Sequence, residues 1–172
     1  VILEGLPEEP TRLLVLPHFT TTGTPWLDTR ALGAIFGLRL TTERKEVAKA
    51  LIEGLAYEVK LNAEILAKAG VEIRLYKAIG GAAKSAVWMQ IYADVLERPV
   101  AVLSVTEGAA LGAALMGARA AGILKGVPEV EEVAARAARV ERIFEPRESR
   151  SRAYRERFEI YKGLYPATVD LT

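Results

Sequence analysis

A glycine pair followed by small residues is the most informative chemical feature of this 172-residue chain. Residues 78–95 read AIGGAAKSAVWMQIYADV, which predicts a strand that runs into Gly80 and Gly81 and then into a helix. Glycines let a backbone approach a ligand with no Cβ in the way, and a helix start offers N–H groups and partial positive charge to an anion. The run is neither a P-loop nor a dinucleotide fingerprint, and a plain tight turn is the alternative interpretation.

A second run, TEGAALGAALMGARAAG at 106–122, predicts a helix with glycines inside it. Each mid-helix glycine costs about 1 kcal/mol relative to alanine, so Gly108, Gly112 and Gly117 require a reason. Close approach of another helix or strand is the obvious one, either as static packing or as a moving contact. Glu107, at the helix start, needs no role beyond its interaction with the helix dipole.

Four other polar residues are candidates for chemistry, and each has a simpler interpretation. Asp28 lies in a turn-rich loop and is expected to be a turn or cap residue. Asp94 falls on the polar side of its predicted helix and is expected to be solvated. His18 follows a proline at a strand end and is expected to be structural or on the surface, and Lys84 is expected to face solvent rather than a phosphate.

Composition excludes several classes of function. The chain has no cysteine, which excludes disulfides and zinc–cysteine sites. It has one histidine, so a histidine-based catalytic triad has one candidate and a site with several histidine ligands is excluded. It has 23 basic and 22 acidic side chains, which argues against nucleic-acid binding. The apolar stretches are far shorter than the roughly 20 residues of a membrane span, so a cytoplasmic protein is expected. The chain starts at Val1 rather than at methionine, which suggests a fragment.

Strands and helices are predicted to alternate around the glycine pair. The predicted strands are 11–19, 34–38, 72–79 and 100–103, and the predicted helices are 42–69, 85–97 and 106–121. Such alternation predicts an α/β protein in which helices cover a parallel sheet and right-handed crossovers link the strands.

The longest predicted helix has a recognisable apolar stripe and recognisable ends. The stripe consists of residues at helical spacing: Val47, Leu51, Leu55, Val59 and Leu66. Thr41 or Thr42 is expected to cap its start, with Glu43 in the first turn, and Gly70 is expected to end it.

The tail, residues 127–172, is predicted to be helical in two pieces. The second piece carries aromatic residues at spacings of four, three and four: Tyr154, Phe158, Tyr161 and Tyr165. Its arginines are expected to form a solvated face, balanced by glutamates, rather than a nucleic-acid surface: Arg150, Arg152, Arg155 and Arg157, with Glu156 and Glu159.

In their order along the chain, these segments resemble the C-terminal domain of the FGGY carbohydrate kinases, a family that includes xylulose, ribulose and glycerol kinases. The runs at 80–100 and 107–122 carry most of the resemblance. Upstream, residues 17–40 resemble a loop and strand with a T-P-x-W-D-like core and an F-G-L ending. Residues 50–66 resemble the first crossover helix of the family, and residues 144–167 resemble its closing helix.

The resemblance implies a fold and a site. The fold is an actin-like (ribonuclease-H-like) ATPase domain truncated at its N-terminal strands. Residues 1–172 would be a partial C-terminal, nucleotide-side domain, with 127–172 as its helical tail. Members of the family bind ATP and sugar in the cleft between two domains, and the helix 107–121 would lie at the interface between those domains. The resemblance implies four nucleotide-binding residues: Gly80, Gly81, Ala82 and Ser85. Gly80 and Gly81 would lie against the nucleotide, with Gly81 and Ala82 near its phosphates or ribose. Ser85 would lie near the adenosine.

The chain also departs from the family pattern. The catalytic aspartate and the first phosphate-binding hairpin belong to an N-terminal domain that has no counterpart here, and the second phosphate-binding turn is expected before Val1. No catalytic residue and no metal ligand is therefore assigned in this chain. Thr21-Thr22-Gly23 stands where the family often has Gly-Glu-Arg, and Ala82 replaces the more usual third glycine.

The implied reaction is transfer of the ATP γ-phosphate to a hydroxyl of a small sugar or polyol, with ADP as product. D-xylulose is the first expectation for the substrate, followed by ribulose or glycerol. Mg²⁺ and a homodimer are implied for the intact enzyme, whereas this chain alone is expected to be inactive. Two other hypotheses stay open: a non-catalytic nucleotide-binding module, and a truncated interaction domain that docks through residues 107–121.

Overall fold

The computed structural model describes residues 5–20, 22–105 and 107–171. Thr21, in the segment that departs from the family pattern, and Thr106, the predicted start of the third helix, lie outside these ranges. The elements in chain order are β1 (Leu14–Leu16), β2 (Ala34–Phe36), α1 (Arg44–Lys68), β3 (Tyr76–Ala78), a 3-10 helix (Gly81–Lys84), α2 (Ala86–Leu96), β4 (Val100–Leu103), α3 (Gly108–Ala120), α4 (Val127–Ala137), β5 (Val140–Phe144), α5 (Glu148–Lys162), α6 (Leu164–Thr168) and a second 3-10 helix (Val169–Leu171).

The strands form two sheets. β1 and β2 pair in antiparallel fashion, and a second sheet has the order β3-β4-β5. β3 and β4 are parallel, as predicted, whereas β5 is antiparallel to β4, so the sheet is mixed. The prediction of a purely helical tail was wrong at β5. Four of its five residues are exposed, so the strand forms through backbone pairing with β4 rather than through an apolar pattern of its own.

α1 starts and ends by different means. The predicted threonine cap was wrong: Glu43 is the N-cap and forms a reciprocal capping box with Glu46. Thr42 is not free to cap, because its hydroxyl accepts the Arg39 N–H at 2.8 Å in the preceding turn. Gly70 ends the helix as predicted, with a φ of +84° that favours glycine.

The buried face of α1 differs from the predicted stripe because it includes charged residues. Leu55 and Leu66 are exposed, whereas Lys49 and Glu53 are almost fully buried. The Lys49 ammonium donates hydrogen bonds to the carbonyl oxygens of Pro7, at 2.6 Å, and Glu9.

Among the helices of the described ranges, α1 included, none is long and apolar enough to cross a membrane.

The Glu53 carboxylate joins three parts of the chain. It accepts hydrogen bonds from the Thr11 N–H at 3.2 Å, the Thr11 hydroxyl at 2.5 Å and the Tyr154 hydroxyl at 3.0 Å, and it lies 3.5 Å from the Lys49 ammonium. Burial raises the pKa of Glu53 and lowers the pKa of Lys49. These contacts bind the N-terminal segment and α5 to α1.

The aromatic stripe of the tail lies in the main core, as its spacing predicts. Tyr154, Phe158 and Tyr161 of α5 surround Tyr57 of α1, with ring-centroid distances of 6.4, 5.9 and 5.0 Å. Ile91 and Val95 of α2 belong to the same cluster. α5 therefore packs against both α1 and α2, although it is distant from them in sequence.

Asp94 of α2 is fully buried, so the prediction that it is solvated was wrong. Its carboxylate accepts the backbone N–H of Arg147 at 2.8 Å and two guanidinium N–H groups of the same residue at 3.1 and 2.7 Å. Gln90 donates a further hydrogen bond at 3.1 Å. Helical periodicity placed Asp94 opposite the apolar stripe, but the segment between β5 and α5 covers that side of α2.

The arginines of α5 do not form one solvated face, because most of them bind other segments. Arg155 pairs with Glu97 at the end of α2, Arg150 pairs with Glu8 and Glu9, and Arg157 donates to the carbonyl oxygen of Arg12 at 2.7 Å. Arg152 is exposed, as predicted. The charges that resemble a surface pattern in sequence therefore contribute to tertiary contacts.

Asp94→Ala should lower the free energy of unfolding by about 2–3 kcal/mol, because it removes a buried carboxylate with several charge-assisted hydrogen bonds. Glu72→Ala is the matched control. It removes an ion pair with Arg74 in which both side chains are largely exposed, and should change the free energy by at most about 0.5 kcal/mol. Chemical denaturation checks both values, and equal effects of the two substitutions would contradict the assignment of Asp94.

Glu97→Gln should destabilise the protein at neutral pH and progressively less in acid. Partial burial acts to raise the Glu97 pKa, but hydrogen bonds from Arg155 and Lys60 outweigh it and hold that pKa below its usual 4.5. A carboxylate with a depressed folded-state pKa contributes stability above its unfolded pKa and loses it as the pH falls through the folded value.

Denaturation of wild type and Glu97→Gln at several pH values tests this dependence. The difference in free energy of unfolding should be about 1 kcal/mol at neutral pH and should shrink below pH 4.5. Glu156→Gln removes an exposed carboxylate of α5 and serves as the control. A Glu97→Gln difference that stays constant into acid would show that the carboxylate charge has no role.

Candidate functional site

The glycine pair lies at the carboxyl end of β3, where the chain leaves the sheet. β3 ends at Ala78, Gly81–Lys84 form a single 3-10 turn, and α2 starts at Ala86. The N–H groups of Ala83 and Ser85 bond to the carbonyl oxygens of Gly80 and Ala82, at 3.2 and 3.0 Å. The predicted order of strand, glycine turn and helix is confirmed. Ligands of α/β sheets bind at this end of the strands.

Gly80 adopts a backbone conformation that other residues rarely reach, with φ +86° and ψ −174°. A Cβ on either Gly80 or Gly81 would meet no atom within 4 Å. The backbone angles at position 80 therefore require a glycine. Both glycines also leave open space on the surface of the turn. A ligand can approach the backbone here without displacing a side chain.

The N–H groups of Gly81 and Ala82 take part in no hydrogen bond within the part of the chain that the structure describes. Gly81 is exposed and Ala82 is half-buried, so both lie near the surface of the turn. Backbone N–H groups that lack a partner bind oxyanions such as phosphate. The turn therefore presents two backbone donors that can bind such a group.

Ser85 is the N-cap of α2. Its hydroxyl oxygen accepts the Trp88 N–H at 3.3 Å, which satisfies one of the donors at the start of the helix. The hydroxyl proton is not used in that bond, and the residue is half-buried beside the turn. Ser85 can therefore donate a hydrogen bond to a ligand while it caps the helix.

The first residue of α3, Gly108, lies against Ile79, the residue before the glycine pair. A Cβ on Gly108 would lie 2.6 Å from Cδ1 of Ile79, so this glycine permits the close approach expected from the sequence. Gly112 and Gly117 have no atom within 4 Å of a built Cβ, and Met116 is exposed. Leu115 is the buried residue of α3, and most of the other residues of this small-residue helix are exposed although α3 contacts α4.

Of the other polar candidates, Asp28 and His18 have structural contacts, whereas Lys84 belongs to the turn itself. Asp28 accepts the Arg30 N–H and the Tyr165 hydroxyl, each at 2.8 Å, and the Arg30 N–H together with the Tyr165 hydroxyl holds its pKa below the usual range. His18 is buried with Nε2 at 3.3 Å from the Glu58 carboxylate. Lys84 is exposed, as expected.

No cluster of three or more His, Asp or Glu side chains suited to a metal occurs in residues 5–20, 22–105 and 107–171. Residues 79–85 contain one ionisable side chain, Lys84, and no carboxylate. The turn therefore has backbone hydrogen-bond donors but lacks the carboxylate ligands that Mg²⁺ prefers.

A family model, described as the C-terminal domain of the FGGY family of carbohydrate kinases, matches residues 4–121. A xylulose kinase of Bacillus subtilis is 30% identical over 169 residues, which are 98% of this chain and 33% of that protein. A glycerol kinase of Enterococcus casseliflavus is 37% identical over 121 residues, which are 70% of this chain and 24% of that protein.

Solved structures show the same relationship. A xyloylose (xylulose) kinase from Brucella ovis superposes with a TM-score of 0.82 at 31% identity, over 99% of this chain and 34% of that one. The chain thus has part of the actin-like ATPase fold, and it spans about a third of the length of the first curated relatives.

Gly80→Ala should lower the free energy of unfolding by about 1–3 kcal/mol, because alanine is strained at a φ of +86°. Gly81→Ala should be near neutral, since its φ is not positive and a Cβ there meets only open space. Thermal denaturation of the two variants measures the difference. Equal stability of the two proteins would show that the turn does not hold this conformation in solution.

Proposed function

This chain belongs to the FGGY family of carbohydrate kinases, and we propose that it forms the ATP-side portion of a kinase that phosphorylates a small sugar or polyol. Residues 1–172 would be a partial C-terminal domain, with 127–172 as its C-terminal tail. Because the chain spans about a third of its relatives, catalysis needs a further domain that carries the general base.

The geometry of the glycine turn carries this proposal. The free N–H groups of Gly81 and Ala82 would bind the phosphates or ribose of ATP, and the open space over Gly80 and Gly81 would admit the nucleotide. Ser85 would lie near the adenosine and donate its free hydroxyl proton. The turn follows a parallel strand at its carboxyl end, which is where α/β sheets hold nucleotides.

The reaction requires groups that the turn does not supply. An oxygen of the sugar or polyol attacks the γ-phosphorus, the bond to the β–γ bridging oxygen breaks, and ADP leaves while a base takes the hydroxyl proton. With no carboxylate in 79–85, the general base and the ligands of Mg²⁺ would come from outside this turn. The proposed role of this portion is to position ATP, and phosphoryl transfer depends largely on positioning and charge neutralisation.

The exposed small residues of α3 would form the contact with the other domain. Gly112 and Gly117 face open space and Met116 is exposed, so this surface is available for another domain to approach closely. Closure of the two domains would then exclude water from the transferred phosphoryl group. The same exposure also fits the second candidate function, an interaction domain that binds a partner through α3.

D-xylulose is the favoured substrate. A relative named as a xylulose kinase matches 98% of this chain, whereas one named as a glycerol kinase matches 70%. Ribulose and glycerol follow as alternatives. Homodimerisation and a cytoplasmic location stay predictions.

Titration of the chain with Mg·ATP, followed by backbone-amide NMR, should shift the resonances of Gly80–Ser85. Gly81→Val should abolish these shifts, because its side chain occupies the space over the turn. Gly23→Val is the matched control: Gly23 is also an exposed glycine with no atom within 4 Å of a built Cβ, and it lies in a loop away from α2. This control should respond to Mg·ATP as wild type does.

The outcomes separate the candidate functions. Shifts confined to the turn, with no turnover until the N-terminal domain is supplied, support the kinase. Tight nucleotide binding by this chain alone, with no activity of the full-length protein towards D-xylulose, ribulose or glycerol, indicates a binding module. No response at the turn in a folded sample, together with a stable complex through α3, indicates an interaction domain.

A further inference from the structure

A cavity of about 440 Å³ lies between the N-terminal segment, α2 and the junction of β5 with α5. Its walls are mainly apolar, and the polar groups that face it include two arginines. The apolar walls are Leu6, Pro7, Val87, Ile91 and Phe144, and the arginines are Arg142 and Arg147. Its size and character are typical of a small-molecule site, about 300–1,000 Å³ with a few convergent polar groups. None of Gly80–Ser85 lines it, although Ala86 and Val87, which directly follow the proposed nucleotide turn, do.

Arg147 is held in a fixed orientation at this cavity. Its Nε and Nη2 donate to the buried Asp94 carboxylate at 3.1 and 2.7 Å. Its Nη1 makes no hydrogen bond to the described residues, and 43% of the side chain is exposed. Arg147 therefore presents a free guanidinium edge whose direction is set by the ion pair on its other side.

Among the basic residues that line this cavity, Arg142 is the one that forms no ion pair with a carboxylate of the described residues. Its guanidinium lies over the ring of Phe144, with the central carbon 4.4 Å from the ring centroid. Within the described residues it forms no ion pair, and the exposed neighbour Glu141 does not bind it. A guanidinium stacked on an aromatic ring keeps its planar set of donors available for an oxyanion.

Four carboxylates at or next to the cavity are already bound within the described residues. Each has a basic partner: Glu8 and Glu9 pair with Arg150, Glu53 with Lys49, and Asp94 with Arg147. The Lys49 ammonium is also bound by the carbonyl oxygens of Pro7 and Glu9, so it holds the cavity wall rather than a ligand. Among the described residues, Arg142 therefore has no carboxylate partner.

We propose that this cavity binds a small organic oxyanion, with its charged group between Arg142 and Arg147 and its apolar body against Leu6, Val87 and Ile91. A carboxylate and a phosphate monoester share the required chemistry, since guanidinium groups bind the oxygens of both. The site requires no nucleotide and stands independently of the proposed kinase function.

Backbone-amide NMR of this chain at constant ionic strength tests the proposal with phenyl phosphate, benzoate and neutral benzyl alcohol. Saturable shifts at Val87, Gln90 and Phe144 are expected with one or both anions but not with the alcohol. Which anion saturates the site decides between phosphate and carboxylate. Arg142→Gln should weaken binding about 10-fold or more, because it removes charge-assisted hydrogen bonds but leaves the Asp94–Arg147 pair intact.

Two further variants make the test specific. Arg142→Lys keeps the charge but loses the planar stack and should bind with intermediate affinity. Arg152→Gln removes an exposed arginine of α5 outside the cavity lining and should bind as wild type. The proposal fails if neither anion saturates, if the shifts map to Gly80–Ser85 instead, or if Arg142→Gln binds as tightly as wild type.

Discussion

The buried carboxylate of Glu53 is the interaction on which much of the remaining architecture depends. Taking this charge out of water is unfavourable unless it is paired and hydrogen-bonded, and its partners come from three separate parts of the chain. Thr11 belongs to the N-terminal segment, Lys49 lies one turn earlier on α1, and Tyr154 lies on α5. Satisfying this one group therefore requires the N-terminal segment and the tail to be docked on α1 at the same time.

The tail also forms ion pairs with α2, the helix that follows the glycine turn. Arg147 at the start of α5 binds Asp94, and Arg155, further along α5, binds Glu97 at the end of α2, which Lys60 of α1 also contacts. These ion pairs lie towards the C-terminal end of α2, and Met89 and Ile91 nearer its start are packed in the core. At the start of the helix, Ser85 is the N-cap and is half-buried beside the glycine turn.

The chain combines a rigid core with an exposed candidate site. Gly81 and Ala82 leave backbone N–H groups unpaired at the surface, while Ala83 and Met89 pack beneath them against β4. Packing in the core fixes the position of the turn, and the backbone of the turn provides the N–H donors. Residues 79–85 contain no carboxylate, so any chemistry at the turn that needs one depends on residues outside the turn.

The sequence by itself determined the features whose cause is local. Gly80 and Gly81 marked the turn, Ser85 marked the start of α2, and Gly70 marked the end of α1, because backbone angles and capping depend on neighbouring residues. Tertiary structure alone decided the rest. Helical periodicity cannot show that the polar side of α2 is covered, so the burial of Asp94 and the pairing of β5 with β4 were missed. Both depend on segments more than 35 residues away, whose contacts no local pattern records.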